Sequence, residues 1–205
     1  MRKTAALFCL LLAAAGPGPA QAAEGKPVWR WAAASELYFI MPAAQKLDID
    51  GGGTASVKPW GLGIRAVGSQ PFSRTGGLQL QAIKVDKPAT GKNTFYLLEL
   101  LLGMQYISPA AEGRPLRFTA AGYADLGLAD STFYAAPVIS AGLLYNINSL
   151  AETPNGLTFD LYYRLTDIDL DNVGSGRAGT LKPALGFKLG YIFEGFWTTA
   201  PRAAQ

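Results

Sequence analysis

The sequence predicts an all-β protein, a closed antiparallel up-and-down transmembrane β-barrel of eight strands. Three observations predict it. Apolar and polar residues alternate with a period of two in stretch after stretch, best seen in LGFKLGYIFE at 185–194. There, Leu185, Phe187, Leu189, Tyr191 and Phe193 share one face, and Gly186, Lys188, Gly190, Ile192 and Glu194 share the other. The composition is 49% hydrophobic with 24 glycines, yet no run of 18 apolar residues past the N-terminus offers a membrane helix. Residues 1–22 read as an export signal: Arg2 and Lys3, an apolar run over 5–15, and the A-x-A site Ala20-Gln21-Ala22.

The expected organisation is a signal peptide at 1–22 and one barrel domain at 23–205, with a short tail at 198–205. Cys9 lies inside the signal, and the chain has no histidine, so the mature protein has no disulfide and no thiolate or imidazole site. Loss of Arg2 and Lys3 takes the formal charge from +3 to +1, which gives no sign of a nucleic-acid partner.

In order, 29–40 alternates, with Trp29, Trp31, Ala33, Leu37 and Phe39 opposite Arg30, Glu36 and Tyr38. Residues 41–54, with Pro42 and three consecutive glycines, read as a long loop. At 60–68, Trp60, Leu62, Ile64 and Ala66 oppose Gly61, Gly63 and Arg65, and 69–77 turns the chain through Pro71 and Gly76-Gly77. At 78–85, Ile83 and Val85 fall out of phase with Leu78 and Leu80, so either a bulge near Ala82 restores the phase or this is a poorer strand. Residues 86–93 are a loop. Then 95–106 places Tyr96, Leu98, Leu100, Leu102, Met104 and Tyr106 on one face. A turn at 108–115 leads to strand 116–125, a loop at 127–134 and strand 138–146. Pro154-Asn155-Gly156 is a hairpin-type turn signal before 157–166, the cleanest alternation in the chain. Residues 167–179 read as a second long loop, and 181–197 as the last strand. Eight such strands close without a free edge, or ten if the first long loop hides a hairpin.

The minority faces carry five basic residues (Arg30, Arg65, Arg117, Arg164, Lys188) and five acidic ones (Glu36, Glu99, Asp125, Asp160, Glu194). Inside a small barrel they could pair across the lumen. In a soluble lipocalin-like periplasmic carrier of an apolar ligand the faces would be inverted, and periodicity does not separate the two. Three features favour lipid on the oily side. The large apolar side chains would overfill an eight-stranded interior. Aromatic residues lie near strand ends, as interfacial girdles require. The segments also have the length of about 9–11 residues that a tilted membrane strand needs.

In these features the chain resembles the small outer-membrane β-barrels of Gram-negative bacteria, such as opacity-protein-like and outer-membrane-protein-A-like membrane domains. Leu189-x-Tyr191-x-Phe193 running to Phe196 is similar to the C-terminal signal read by the barrel assembly machinery, although here 198–205 follow the aromatic residues. The resemblance implies outer-membrane localisation, periplasmic termini, and extracellular loops at 41–54, 86–93, 127–134 and 167–179. It also implies contact with outer-membrane lipid and lipopolysaccharide, and passage by periplasmic chaperones and the assembly machinery, as a monomer.

No enzyme chemistry is expected. Without histidine a Ser-His-Asp arrangement is impossible, and no serine and lysine share a motif. Gly61-x-Gly63 and Gly174-x-Gly176 are not phosphate loops, and no cofactor is implied. Asp48, Asp50, Asp167, Asp169 and Asp171 would lie on one rim, because strands one and eight are neighbours in a closed barrel. They are a weak candidate site for Ca²⁺ or Mg²⁺. The function expected is a non-enzymatic surface or structural barrel, or a porin-like passage for small solutes, with a lumen plugged by paired charges.

Overall fold

The computed structural model describes residues 34–41, 43–68, 71–86, 94–111, 113–129, 132–147, 154–173 and 176–194. It holds one antiparallel sheet closed on itself. The elements are β1 (Ala34–Met41), β2 (Gln45–Ile49), β3 (Gly53–Val67), β4 (Phe72–Asp86), β5 (Thr94–Ile107) and β6 (Leu116–Ala129). They continue with β7 (Thr132–Asn146), β8 (Gly156–Arg164), β9 (Ile168–Leu170), β10 (Gly179–Leu181) and β11 (Leu185–Glu194). Each strand from β3 to β8 pairs with the next, β8 pairs with β11, and β1 pairs with both β11 and β3, closing a ring of eight.

The three short strands prolong that ring. β1 pairs with β3 as far as Ile40↔Gly61, and β2 resumes on the same strand at Gln45↔Val57. β2 pairs with β10 and β10 with β9, just as β1, β11 and β8 do lower down. Three adjacent staves are therefore broken at one level, at 42–44, 165–167 and 182–184. Backbone and side-chain bonds stitch the breaks: Lys182 N–H donates to Lys46 O at 2.9 Å, Leu165 N–H to Pro137 O at 2.9 Å, and Gln45 Nε2 to Lys182 O at 2.5 Å.

Several expected loops are strand. Within 41–54 lies β2, and the chain reverses at Asp50-Gly51-Gly52, with positive φ at Gly51 and Gly53 (66° and 84°) where glycine alone is unstrained. The hairpin is real, but it extends existing staves and adds none, so the barrel has eight. The expected second loop contains β9 and the first residue of β10. The expected loop at 127–134 is the end of β6 and the start of β7. Gly76 and Gly77 lie within β4 opposite Ala66 and Arg65. A Cβ at Gly77 would lie 2.2 Å from Ile64 O, so this glycine serves close strand approach and not a turn.

No bulge forms near Ala82. The register runs without a step through Gln81↔Gly61, Ala82↔Trp60 and Ile83↔Pro59. Ile83 and Val85 point inward because the lumen itself turns apolar at this end. There Leu47, Val57, Ile83, Leu97, Ile168 and Leu181 belong to one packed cluster. At the opposite end, Ala34, Val67, Ile107, Leu144 and Ile192 form an apolar floor.

Outside, the large residues face away from the barrel. On β5 the outward row runs from Tyr96 to Tyr106 through Leu98, Leu100, Leu102 and Met104, all well exposed except the partly covered Tyr106. Ten residue steps at about 3.3 Å, tilted by about 40°, give a band about 25 Å tall, the height of an outer-membrane barrel's apolar belt. Tyr106 packs on Phe72, with ring centroids 4.8 Å apart, at the lower edge. Beyond the upper edge the outward residues of β2, β9 and β10 are polar: Lys46, Asp48, Asp169 and Thr180.

Candidate functional site: the charged layer of the lumen

Between the apolar floor and the apolar upper cluster lies a buried layer of charge. Among the described residues eight ionic side chains are buried in it, Glu36, Glu99, Asp125 and Asp160 against Arg65, Arg117, Arg164 and Lys188. Each occupies the inward phase of its strand, which is why the alternation marked them. Arg30 and the side chain of Glu194, the other two expected members, lie outside the described residues, as does Phe196.

The layer resolves into two ionic clusters. In the first, Arg65 pairs with Glu36 through Nε and with Asp160 through Nη2 at 2.7 Å. Thr119 Oγ1 donates to Asp160 at 2.7 Å, and Thr158 Oγ1 to Glu36. In the second, Arg164 Nη2 meets Glu99 at 2.7 Å and Asp125 at 3.7 Å. Glu99 also accepts bonds from Gln79 Nε2 (2.5 Å), Tyr134 OH (2.5 Å) and Gln81 Nε2. Four donors converge on one carboxylate that is wholly buried.

Lys188 joins the clusters. Its Nζ donates to Tyr123 OH at 2.8 Å and Gln79 Oε1 at 3.3 Å. It also sits over the rings of Tyr38, Tyr123 and Tyr162, at 4.7, 4.9 and 5.0 Å from their centroids. Among the described residues no carboxylate lies within ion-pair distance of it, so three π faces and two neutral acceptors hold this buried cation. Arg117 stands apart near the floor, where Nε donates to Ser108 O at 2.6 Å.

The sequence reading missed the neutral half of this layer: Tyr38, Gln79, Gln81, Thr119, Tyr123, Tyr134, Thr158 and Tyr162. Tyr38, Thr119, Tyr123, Thr158 and Tyr162 share a strand face with a charge, whereas the inward faces of β4 and β7 that carry Gln79, Gln81 and Tyr134 hold none. Four of the tyrosines share one further feature. Tyr38, Tyr123, Tyr134 and Tyr162 lie directly opposite Gly63, Gly103, Gly127 and Gly186 on the neighbouring strand. At Gly63, Gly127 and Gly186 an added Cβ would stand 2.3 Å from the tyrosine ring, so the ring occupies the space of the missing side chain. A cavity of about 10 Å³ beside Arg65, Gln105, Ser140 and Asp160 has room for about one water.

The acidic rim residues are brought to one small sheet, as closure of the barrel required. Lys182 stands between Asp167 (3.0 Å) and Asp48 (3.4 Å). Thr180 donates to Asp169, Thr132 to Asp171, and Thr54 to Asp48. Among the described residues no three Asp, Glu, Cys or His side chains gather where they could hold a metal ion. The Thr54 hydroxyl, with Lys182 beside it, holds the Asp48 carboxyl below its ordinary value near 3.8. The charged form is therefore the bonded one, and its contribution is present above the unfolded-state pKa and lost as pH falls through the lower folded value. In a pH titration followed by NMR, Asp48 should titrate below the usual Asp range and Thr54→Val should return it toward 3.8. An unchanged Asp48 titration in that variant would remove the hydroxyl as the cause.

Leu189 and Tyr191 of the expected assembly signal face outward on β11, and Phe193 lies 6.5 Å from Tyr191 with near-parallel rings.

No family model matches the chain, and no curated protein matches it. Among solved structures, the outer membrane protein OprG from Pseudomonas aeruginosa is similar at 12% identity and TM-score 0.46, covering 79% of this chain and 94% of that one. Ail, the attachment invasion locus protein of Yersinia pestis, is similar at 13% identity and TM-score 0.42, covering 79% and 99%. By its own topology, outer belt and lumen, the chain is a closed eight-stranded barrel of the outer-membrane type.

Proposed function

We propose that the protein is a plugged outer-membrane barrel with a structural or surface role, and that its lumen passes no solute. The filled lumen carries this reading. An apolar cluster, a layer of buried charge and an apolar floor follow one another along the axis, in a barrel of the size whose interior side chains just fill. A conducting pore would need a continuous wet path through a layer in which Arg65 and Arg164 are already paired with Glu36, Asp160, Glu99 and Asp125. A carrier of apolar ligands would need its large hydrophobic residues inside, whereas Leu62, Leu80, Leu98 and Phe159 face out.

Export with removal of residues 1–22 fits this role, as does delivery by chaperones and the assembly machinery through Leu189, Tyr191, Phe193 and Phe196. The end bearing β2, β9 and β10 would face outward toward lipopolysaccharide. Purified full-length protein in a planar bilayer is the test. A baseline without unit steps is expected, and reproducible unit conductance would sink the plugged reading.

A further inference from the structure

We propose that the corner of the lumen between Asp125, Arg164 and Thr166 is a binding site for one water molecule, which enters at the stave break 165–167. The proposal goes beyond the plugged reading and does not depend on it.

Among the described residues, four buried side-chain polar atoms have no hydrogen-bond partner, and three of them belong to this corner: Asp125 Oδ1, Arg164 Nε and Thr166 Oγ1. Asp125 and Arg164 are themselves almost wholly buried. A buried polar atom left bare is costly, so each of the three calls for a partner. The strand register explains why they gather. Asp125 lies opposite Ala136 on β7, and Val138 lies opposite Arg164 on β8. Leu165 N–H still bonds Pro137 O, so the next residue, Thr166, comes to the level of Ala136. Asp125 and Thr166 thus flank β7, with only the methyl group of a buried alanine between them. Two strand spacings hold their backbones about 10 Å apart, and two short side chains do not close that distance.

The other ionic cluster is the closed version of this arrangement. There Thr119 and Thr158 lie within unbroken strands, and their hydroxyls donate directly to Asp160 and Glu36. Thr166 lies past the end of β8, where the stave leaves the ladder, and its hydroxyl meets no carboxylate. Arg164 Nη2 also stands 3.7 Å from Asp125, beyond direct hydrogen-bond length and within the reach of a bridging water. One water accepting from Arg164 Nε and donating to Asp125 Oδ1 and Thr166 Oγ1 makes three bonds, the usual number for a buried water. A metal cation fits less well, because one of the three groups to be met is a guanidinium donor with no lone pair to offer. The entry follows from exposure. The Thr166 hydroxyl is covered while the residue as a whole is only half-buried, and its exposed neighbours change from Leu165 to Asp167 and Asp169. The corner is therefore one side chain away from the polar rim, whereas the apolar floor closes the far end.

Solution NMR of the full-length protein in lipid nanodiscs reads the site directly. The Nε–H signal of Arg164 should show a rotating-frame cross-peak to water, of the sign that marks a bound molecule and not proton exchange. Ala136→Ser sets a hydroxyl between Asp125 and Thr166 and should abolish the cross-peak. Thr166→Val should weaken it, and Thr119→Val, in the other cluster, should leave it unchanged. In D2O, Arg164 Nε–H should exchange before Arg65 Nε–H, which donates to Glu36. No water cross-peak in the parent overturns the proposal, as does a cross-peak that survives in Ala136→Ser. Earlier exchange at Arg65 overturns the entry at 165–167. Replacing Na⁺ with choline at equal ionic strength should not move the carboxyl carbon signal of Asp125, and a shift would assign the corner to a cation. A barrel that conducts yet keeps the cross-peak would sink the plugged reading and leave this site standing.

Discussion

Glu99→Ala will lower the unfolding free energy by about 3–5 kcal/mol, the scale for removing one partner of a buried ion pair. The carboxylate accepts from Arg164, Gln79, Gln81 and Tyr134 and has no exposure to water. Its loss leaves a buried guanidinium with Asp125, 3.7 Å away, as its remaining acid, and frees three neutral donors. Urea unfolding in lipid vesicles, followed by tryptophan fluorescence and heat-dependent gel mobility, measures the effect. The decisive comparison is Glu99→Leu/Asp125→Asn/Arg164→Met, which leaves no charge in the cluster and should recover a large part of the loss, since the cost lies in the stranded partner more than in the missing bond. A triple variant as unstable as Glu99→Ala would mean that the ionic cluster is not the unit of stability. The same variants carry a second readout, because a stranded cation needs water and the bilayer baseline should become noisier as the layer loosens.

This ionic layer also marks the boundary of what the sequence could tell. Strand identity was legible wherever the outside is lipid and the inside polar, because alternation is then unambiguous, as at 95–106, 157–166 and 185–194. It failed where that contrast disappears. Ile83 and Val85 looked out of phase because beyond the ionic layer the lumen is apolar, so an inward residue there resembles an outward one lower down. The stretch 41–54 looked like a loop because proline and three consecutive glycines are turn residues, whereas the chain reverses at Asp50-Gly51-Gly52 in a hairpin that extends existing staves. Which charges share the lumen was legible from face alone. Which pair with which was not, since Glu36 with Thr158 and Arg65 with Asp160 are far apart in the chain. Such partners are set by the stagger of strands around the ring, which a period of two does not encode. The tyrosine–glycine pairs escaped for the same reason: each is a cross-strand relation, and a lumen glycine read singly shows only that something is crowded nearby.

Those pairs yield the second large effect, and it has a sharper control. Gly63→Val should destabilise the barrel by about 2–4 kcal/mol, combining overpacking with loss of a buried hydrogen bond. The new Cβ would lie 2.3 Å from Cζ and the hydroxyl oxygen of Tyr38, whose ring is buried on all sides and has nowhere to go. Displacing it breaks the 2.9 Å bond to Gln79, which itself bonds Glu99, and removes one of the three π faces under Lys188. Gly122 on β6 provides the reference: nothing lies within 4 Å of its added Cβ, so Gly122→Val should change stability by less than about 0.5 kcal/mol or raise it slightly through strand propensity. The test that separates ring clash from a general intolerance of valine is the cycle with Tyr38→Ala. In that background the space is empty, and Gly63→Val should cost close to nothing, giving a coupling of about 2 kcal/mol or more. Equal penalties for Gly63→Val with and without the tyrosine ring would show that the glycine is required by the backbone alone, and that the four pairings only accompany the crowding of the lumen.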